Sequence, residues 1–148
     1  MEKRFENFTV SIIKLYRLVQ RIKVHEMRDY GLKSVHVMCI YYLYEYKQGL
    51  TAGDLISLMY EDKAAISRAL ALLRDKNYIL YDASKYNALI TLTEEGEKVA
   101  RYINEKADCA VAAGSADLLE SERKLCYRFL DEITKNLQNY YNKLKEIK

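Results

Sequence analysis

Apolar residues recur at alternating intervals of three and four near both ends of the chain. Phe5, Phe8, Ile12, Leu15, Val19 and Ile22 form one series, and Cys126, Leu130, Ile133, Leu137, Tyr140, Leu144 and Ile147 form the other. A repeat near 3.5 residues draws an almost straight apolar seam along a helix, the kind that packs lengthwise against a second helix. Such a seam serves either a bundle within one chain or an interface between two chains. The middle of this chain is too small to need two seams of that length, so the pattern predicts that the terminal helices form a dimer interface.

Between the seams the punctuation changes. Tyr30-Gly31 ends the first helix, with Gly31 suited to the left-handed position after a helix C-terminus. Ser34 is placed to cap a second helix running to about Tyr46, and Lys47-Gln48-Gly49 forms the turn after it. Thr51 and Asp54 make a near capping box for a short third helix through about Met59. Asp62 then caps a fourth helix whose Ile66, Leu70 and Leu73 face inward. Tyr78–Tyr81 and Ala88–Leu92 are β-prone runs joined by polar residues, which predicts a hairpin. Thr93, followed by Glu94 and Glu95, starts a helix that reaches Ala110–Ala113. Gly114-Ser115 breaks it, and a last helix begins near Asp117–Ser121. The predicted order is α-α-α-α-β-β-α-α, a mainly α fold with a small β-hairpin wing.

Composition agrees with this order. The chain has 148 residues, no proline and five glycines, which favours long helices in one domain-sized unit. Three cysteines with no CxxC pair fit a reduced, cytoplasmic protein. The start has no apolar stretch of the signal-peptide kind, and Val35–Tyr44 is too short to cross a membrane, so no membrane partner is expected. The net charge of +3 lies unevenly: residues 1–30 carry +3, whereas residues 51–76 balance to zero. Any nucleic-acid reading therefore rests on where charges stand and not on their total.

The informative stretch is Leu50–Asn77. Two short helices separated by Tyr60-Glu61 match a helix-turn-helix. With Ile66, Leu70 and Leu73 inward, Lys63, Ala64, Ala65, Ser67 and Arg68 lie on or flank the outward face. Small residues let the backbone approach base edges, Arg68 suits guanine, and Lys63 reaches phosphate. Leu50-Thr51-x-x-Asp54-Leu55, Asp62-Lys63-Ala64-Ala65-Ile66-Ser67-Arg68 and Leu92-Thr93-Glu94-Glu95-Gly96, in that order, resemble the MarR family of bacterial transcriptional regulators over nearly the whole chain. The resemblance implies a winged helix-turn-helix homodimer on double-stranded DNA, a ligand-responsive repressor of a near-palindromic operator. Residues 1–30 and 93–148 would supply the dimer, and 34–92 the DNA-binding part, within one domain spanning 1–148. It also implies DNA contacts at Thr51, Lys63, Ala64, Ala65, Ser67 and Arg68, and in the wing at Ser84, Lys85 and Tyr86. Two departures stand out. Alanines replace the family's hydroxyl residues at 64 and 65, and Ser84-Lys85-Tyr86 stands where relatives carry Asp-Arg-Arg. Together with the neutral charge of residues 51–76, they predict weaker and less salt-dependent DNA binding than in a relative with arginine wings. The competing expectation is a winged-helix module for protein–protein contact, with DNA binding weak or lost.

Other chemistry is thinly represented. His36 and Cys39 sit three apart on an apolar helix, which reads as a packed histidine and a buried thiol; no metal or cofactor is expected. Tyr16, Tyr41, Tyr42 and Tyr44, with His36, are candidates to line a crevice for a small aromatic effector. No phosphate-binding glycine loop, GxSxG elbow or HExxH motif is present, so no enzyme is expected.

Overall fold

The computed structural model describes residues 3–147 and comprises two compact units, Met1–Asp108 and Cys109–Lys148. A π-helical stretch, Glu6–Val10, leads into α1 (Ser11–Glu26), followed by a 3-10 turn at Arg28–Tyr30. Then come α2 (Ser34–Glu45), α3 (Ala52–Met59), α4 (Lys63–Asp75), β1 (Ile79–Leu80), β2 (Thr91–Leu92), α5 (Glu94–Gly114) and α6 (Glu120–Glu146). The order is the expected one. The π stretch was not expected: its wider turn lies between Phe5 and Ile12 and breaks the even spacing there.

Each boundary has a local cause. Gly31 adopts φ 63°, the left-handed region that lets the chain reverse after the 3-10 turn. Ser34 is the first residue of α2 and not its cap; Lys33 holds the cap position. There the Nδ1 of His36 accepts the backbone N–H of Lys33 at 2.9 Å, the reciprocal half of a capping box. The α3 box is complete. The Asp54 N–H donates to the Thr51 hydroxyl oxygen at 3.1 Å, while the Asp54 carboxylate accepts both the N–H and the O–H of Thr51 at 2.8 Å. Asp62 caps α4 by accepting the Ala65 N–H at 2.7 Å.

The core lies in the first unit. Leu43, Leu55, Ile66, Leu70, Leu73, Ile79, Ile90 and Val99 are buried in one cluster that also takes in Met27 and Ile103. Removing one such leucine to alanine costs about 2–5 kcal/mol, so this cluster carries the stability of the fold. The hairpin is shorter than predicted, pairing Ile79 with Leu92 and Leu80 with Thr91. Leu50 adds a third line of pairing: its N–H donates to the Ile90 carbonyl at 3.1 Å, and its carbonyl accepts the Ile90 N–H at 2.8 Å.

The seams are bare. Phe5, Phe8, Ile12, Leu15, Val19 and Ile22 of the first helical segment are all exposed. Along α6 and the residue after it, described within their own unit, Cys126, Leu130, Leu137, Tyr140, Leu144 and Ile147 are exposed too, and Ile133 is half-buried. Packing within each unit leaves its own stripe largely uncovered.

The start of α5 is locked to the turn before β1. The Thr93 hydroxyl donates to the Asn77 carbonyl at 2.6 Å and accepts the Gly96 N–H at 3.0 Å, while the Thr93 N–H donates to the Tyr78 carbonyl at 3.0 Å. A Cβ on Gly96 would sit 1.9 Å from that Tyr78 carbonyl oxygen, so only glycine fits. Gly96→Ala is therefore expected to destabilise the protein by at least ~2 kcal/mol through overpacking against backbone. Urea unfolding of the two proteins side by side checks this; equal midpoints would mean that the contact is absent.

Candidate nucleic-acid interface

The face of α4 opposite its buried row holds Ala64, Ser67 and Arg68 of the residues proposed from sequence. Ile66, Ala69, Leu70 and Leu73 are 0–1% exposed. A helix turns 100° per residue, so burying these four drives Ala64, Ser67, Arg68 and Ala71 outward; Lys63 lies in line with the buried row but is the first residue of α4, and all five are exposed. Ala65 departs from expectation. It is half-buried, because it stands one turn before the buried Ala69, at the edge of the row. Lys63, Ser67 and Arg68 make no side-chain hydrogen bond or ion pair among the described residues, which leaves an ammonium, a hydroxyl and a guanidinium free for a partner. Their immediate surroundings are small and uncharged at Ala64 and Ala71.

Thr51 stands differently. It is half-buried, and its hydroxyl both donates and accepts within the Asp54 box, so its side chain is already engaged. That box holds the Asp54 carboxyl below the usual carboxylate range, first through the backbone hydrogen bond from Thr51.

At the wing tip the three candidates separate. The Asp82 carboxylate accepts the Ser84 O–H at 2.6 Å and the Ser84 N–H at 3.1 Å, and pairs with the Lys85 ammonium at 3.5 Å. These donors, the Ser84 hydroxyl first, keep the Asp82 carboxyl below its ordinary value. Ser84 and Lys85 are thus turned toward Asp82. Tyr86 is not: it is 94% exposed and its side chain makes no hydrogen bond or ring contact among the described residues.

Tyr60, which the sequence reading passed over, stands in the turn of the helix-turn-helix. It has φ 53°, a conformation costly for a side chain of this size, and is exposed. Its only signal in the sequence is its place between two caps. Leu50 was also missed as a strand partner, because a single bridged residue leaves no periodicity to read.

The five effector candidates are spread out. The Tyr16 oxygen accepts the Gln20 amide at 2.6 Å, and Gln20 in turn accepts the Ser34 hydroxyl. Tyr41 and Tyr42 meet edge to face at 5.3 Å, and the Tyr42 hydroxyl donates to the Leu58 carbonyl at 3.4 Å. Tyr44 lies under the Lys47 ammonium at 5.1 Å. His36 is buried at the N-terminus of α2. Cys39 is buried as well, with its sulfur 3.8 Å from that of Met59, and burial pushes its thiol up to about 12. Such a thiol is a packing group and not a nucleophile. Among the described residues, no three His, Cys, Asp or Glu side chains gather as a metal site.

No protein-family profile matches the chain, and no curated relative matches it. Solved structures do. A MarR transcriptional regulator from Methanosarcina mazei shares 21% identity at a TM-score of 0.83, covering 95% of this chain and 94% of its own. A MarR-family regulator from Listeria monocytogenes, solved with a 26-mer DNA, shares 19% at 0.85 over 99% and 96%. The MepR–DNA complex of S. aureus shares 19% at 0.79 over 92% and 99%. At this identity the likeness establishes the fold: the chain has the winged helix-turn-helix architecture of the MarR regulators.

His36 carries a pH dependence. Burial first, then the charges of Lys33 and Lys76, hold its pKa below the ordinary 6.5. Its Nδ1 must stay unprotonated to accept the Lys33 N–H. The unfolded chain binds the proton more readily, so this contribution is complete above pH 6.5 and is lost as pH falls toward the folded value. In His36→Gln the amide oxygen keeps the cap without titrating. Thermal melts of the two proteins through the acid range are expected to diverge below pH 6.5, with wild type falling faster. Parallel curves would remove His36 from the pH response.

Proposed function

We propose that this chain is a MarR-type transcriptional regulator, a homodimer that binds a near-palindromic operator in double-stranded DNA with one α4 per half-site. The observation that carries this reading is the exposed surface of α4, where Lys63, Ser67 and Arg68 are free of internal partners while its buried row closes the core. Ala64 leaves room for close backbone approach at base edges, and Arg68 offers the fork that reads guanine. Two solved structures of this fold contain DNA, which supports the same use here.

The dimer is supported by the exposed seams. A stable interface of obligate type is apolar at its centre, and these stripes supply that on α1 and α6. We further propose that the regulator is a cytoplasmic repressor, released by a small aromatic effector held near Tyr16, Tyr41, Tyr42 and Tyr44 with His36. No helix among the described residues is long and apolar enough to cross a membrane. The wing favours a second reading, protein–protein contact, on one observation: Leu80, Tyr86 and Leu89 are exposed there and no cation is free.

Selection of bound duplexes from a randomised pool is expected to enrich a near-palindrome with half-sites about one helical turn apart. Arg68→Ala should then weaken specific binding by about 1–3 kcal/mol per half-site and relax the base preference at one position. A pool with no enrichment sinks the DNA reading, and unaltered preference in the variant sinks the assignment of Arg68. Leu15→Glu and Leu137→Glu each place a charge in a seam, and each is expected to weaken the dimer by roughly 3 kcal/mol or more. Sedimentation equilibrium reads this directly; unchanged mass in both variants would put the interface elsewhere.

A further inference from the structure

We propose that Asp82 cancels the charge of the wing, so that each wing meets the duplex through the uncharged side chain of Tyr86 and adds nothing to the salt dependence of binding. The proposal rests on the DNA reading above and deepens it.

Residues 81–88 hold one acid, Asp82, and one base, Lys85. Both oxygens of the acid are engaged: Oδ1 by the hydroxyl and N–H of Ser84, and Oδ2 by the ammonium of Lys85. The Lys85 N–H also donates to the Asp82 carbonyl at 3.2 Å, which closes the tip as a turn. The carboxylate is therefore fixed by groups that do not depend on the ammonium. An exposed ion pair by itself is weak, and a phosphate could draw Lys85 away. Asp82 would remain in place, however, and a phosphate approaching Lys85 would meet that fixed negative charge a few ångströms off. Local neutrality, and not the strength of the pair, keeps the wing from releasing counterions.

What the tip presents instead is apolar. Tyr86 is 94% exposed, and its hydroxyl is without a partner. Asn87, at φ 49°, turns the chain directly after it. Leu80 and Leu89 are 61% and 60% exposed on the same hairpin, whereas Ile79 and Ile90 point into the core. A phenol suits a groove edge, because its ring packs on deoxyribose while its hydroxyl donates to a phosphate oxygen, and neither contact needs a cation. Apolar side chains in the minor groove are an established way to hold DNA. The placement follows from the fold: the wing and α4 belong to the same compact unit and are joined by the two-residue turn Lys76-Asn77 and Tyr78.

The test uses the full-length protein and the duplex recovered by the pool selection, with affinity measured across a salt series. Asp82→Asn keeps an oxygen for the Ser84 donors and removes the negative charge. It is expected to steepen the slope of log affinity against log salt by about 0.9 per wing. Adding Lys85→Ala to that variant is expected to restore the wild-type slope. Tyr86→Ala, at a side chain nothing packs against, is expected to bind about tenfold more weakly with the slope unchanged. An unaltered slope in Asp82→Asn, or full affinity in Tyr86→Ala, overturns the proposal while leaving the DNA reading intact. If wild type recovers no duplex, both fall together.

Discussion

The structure depends on a single constraint: α4 must bury Ile66, Ala69, Leu70 and Leu73 at once. These four positions span an arc of about 100° on the helix, and none of them is more than 1% exposed. Rotation by one residue would drive Arg68 or Ser67 into an apolar cluster, where an unpaired charge costs several kcal/mol. The outward face of α4 is therefore a consequence of core packing and not a separate feature of the chain. The caps at either side of the turn serve the same end. The Thr51–Asp54 box starts α3 and the Asp62 cap starts α4, and together they set the phase at which the buried row begins.

A second set of bonds holds the hairpin to this helix. Thr93 bridges the Asn77 carbonyl and the Gly96 N–H, its own N–H takes the Tyr78 carbonyl, and Leu50 pairs with Ile90 from the other side. The root of the wing is thus anchored on both strands by main-chain bonds that leave little freedom. Its tip, by contrast, is organised by one side chain, Asp82. A rigid root and a locally folded tip let the electrostatics of the wing change by a single substitution without moving the fold.

Much of this architecture is legible in the sequence. The Asp62 cap and the Ile66, Leu70, Leu73 row are local patterns, and local patterns survive reading one residue at a time. The order of elements follows for the same reason. What escapes is whatever depends on two distant segments or on a single residue. Leu50 pairs with Ile90 across forty positions, so no periodicity marks it. Lys33 caps α2 through His36, an unusual partner that the serine beside it conceals. The π-helical stretch at Glu6–Val10 interrupts a repeat that is regular on paper. At the wing, residue types suggested three contacts; geometry turns Ser84 and Lys85 toward Asp82, two and three residues before them, and leaves Tyr86 bare.

These features bear on how the proposed DNA-reading surface, with Lys63 and Arg68 free on α4 and a neutral wing, would find its site. On the proposed reading, the charged contacts of each protomer reduce to Lys63 and Arg68, about four cations per dimer. Counterion release then gives a log–log slope of about −3.6, shallow for a dimeric DNA-binding protein. Non-specific affinity is almost wholly electrostatic, so it falls with the cation count, whereas base contacts by Arg68 and Ser67 and an uncharged wing contact are retained. A genome tests the ratio of specific to non-specific binding, not the absolute affinity. Removing cations from the wing lowers the denominator of that ratio more than the numerator. A neutral wing is then compatible with precise site recognition, and the balanced charge of residues 51–76 follows the same logic. Release by an effector would in turn require less opposing free energy, since a ligand shifts the equilibrium only by its preference between the two dimer forms.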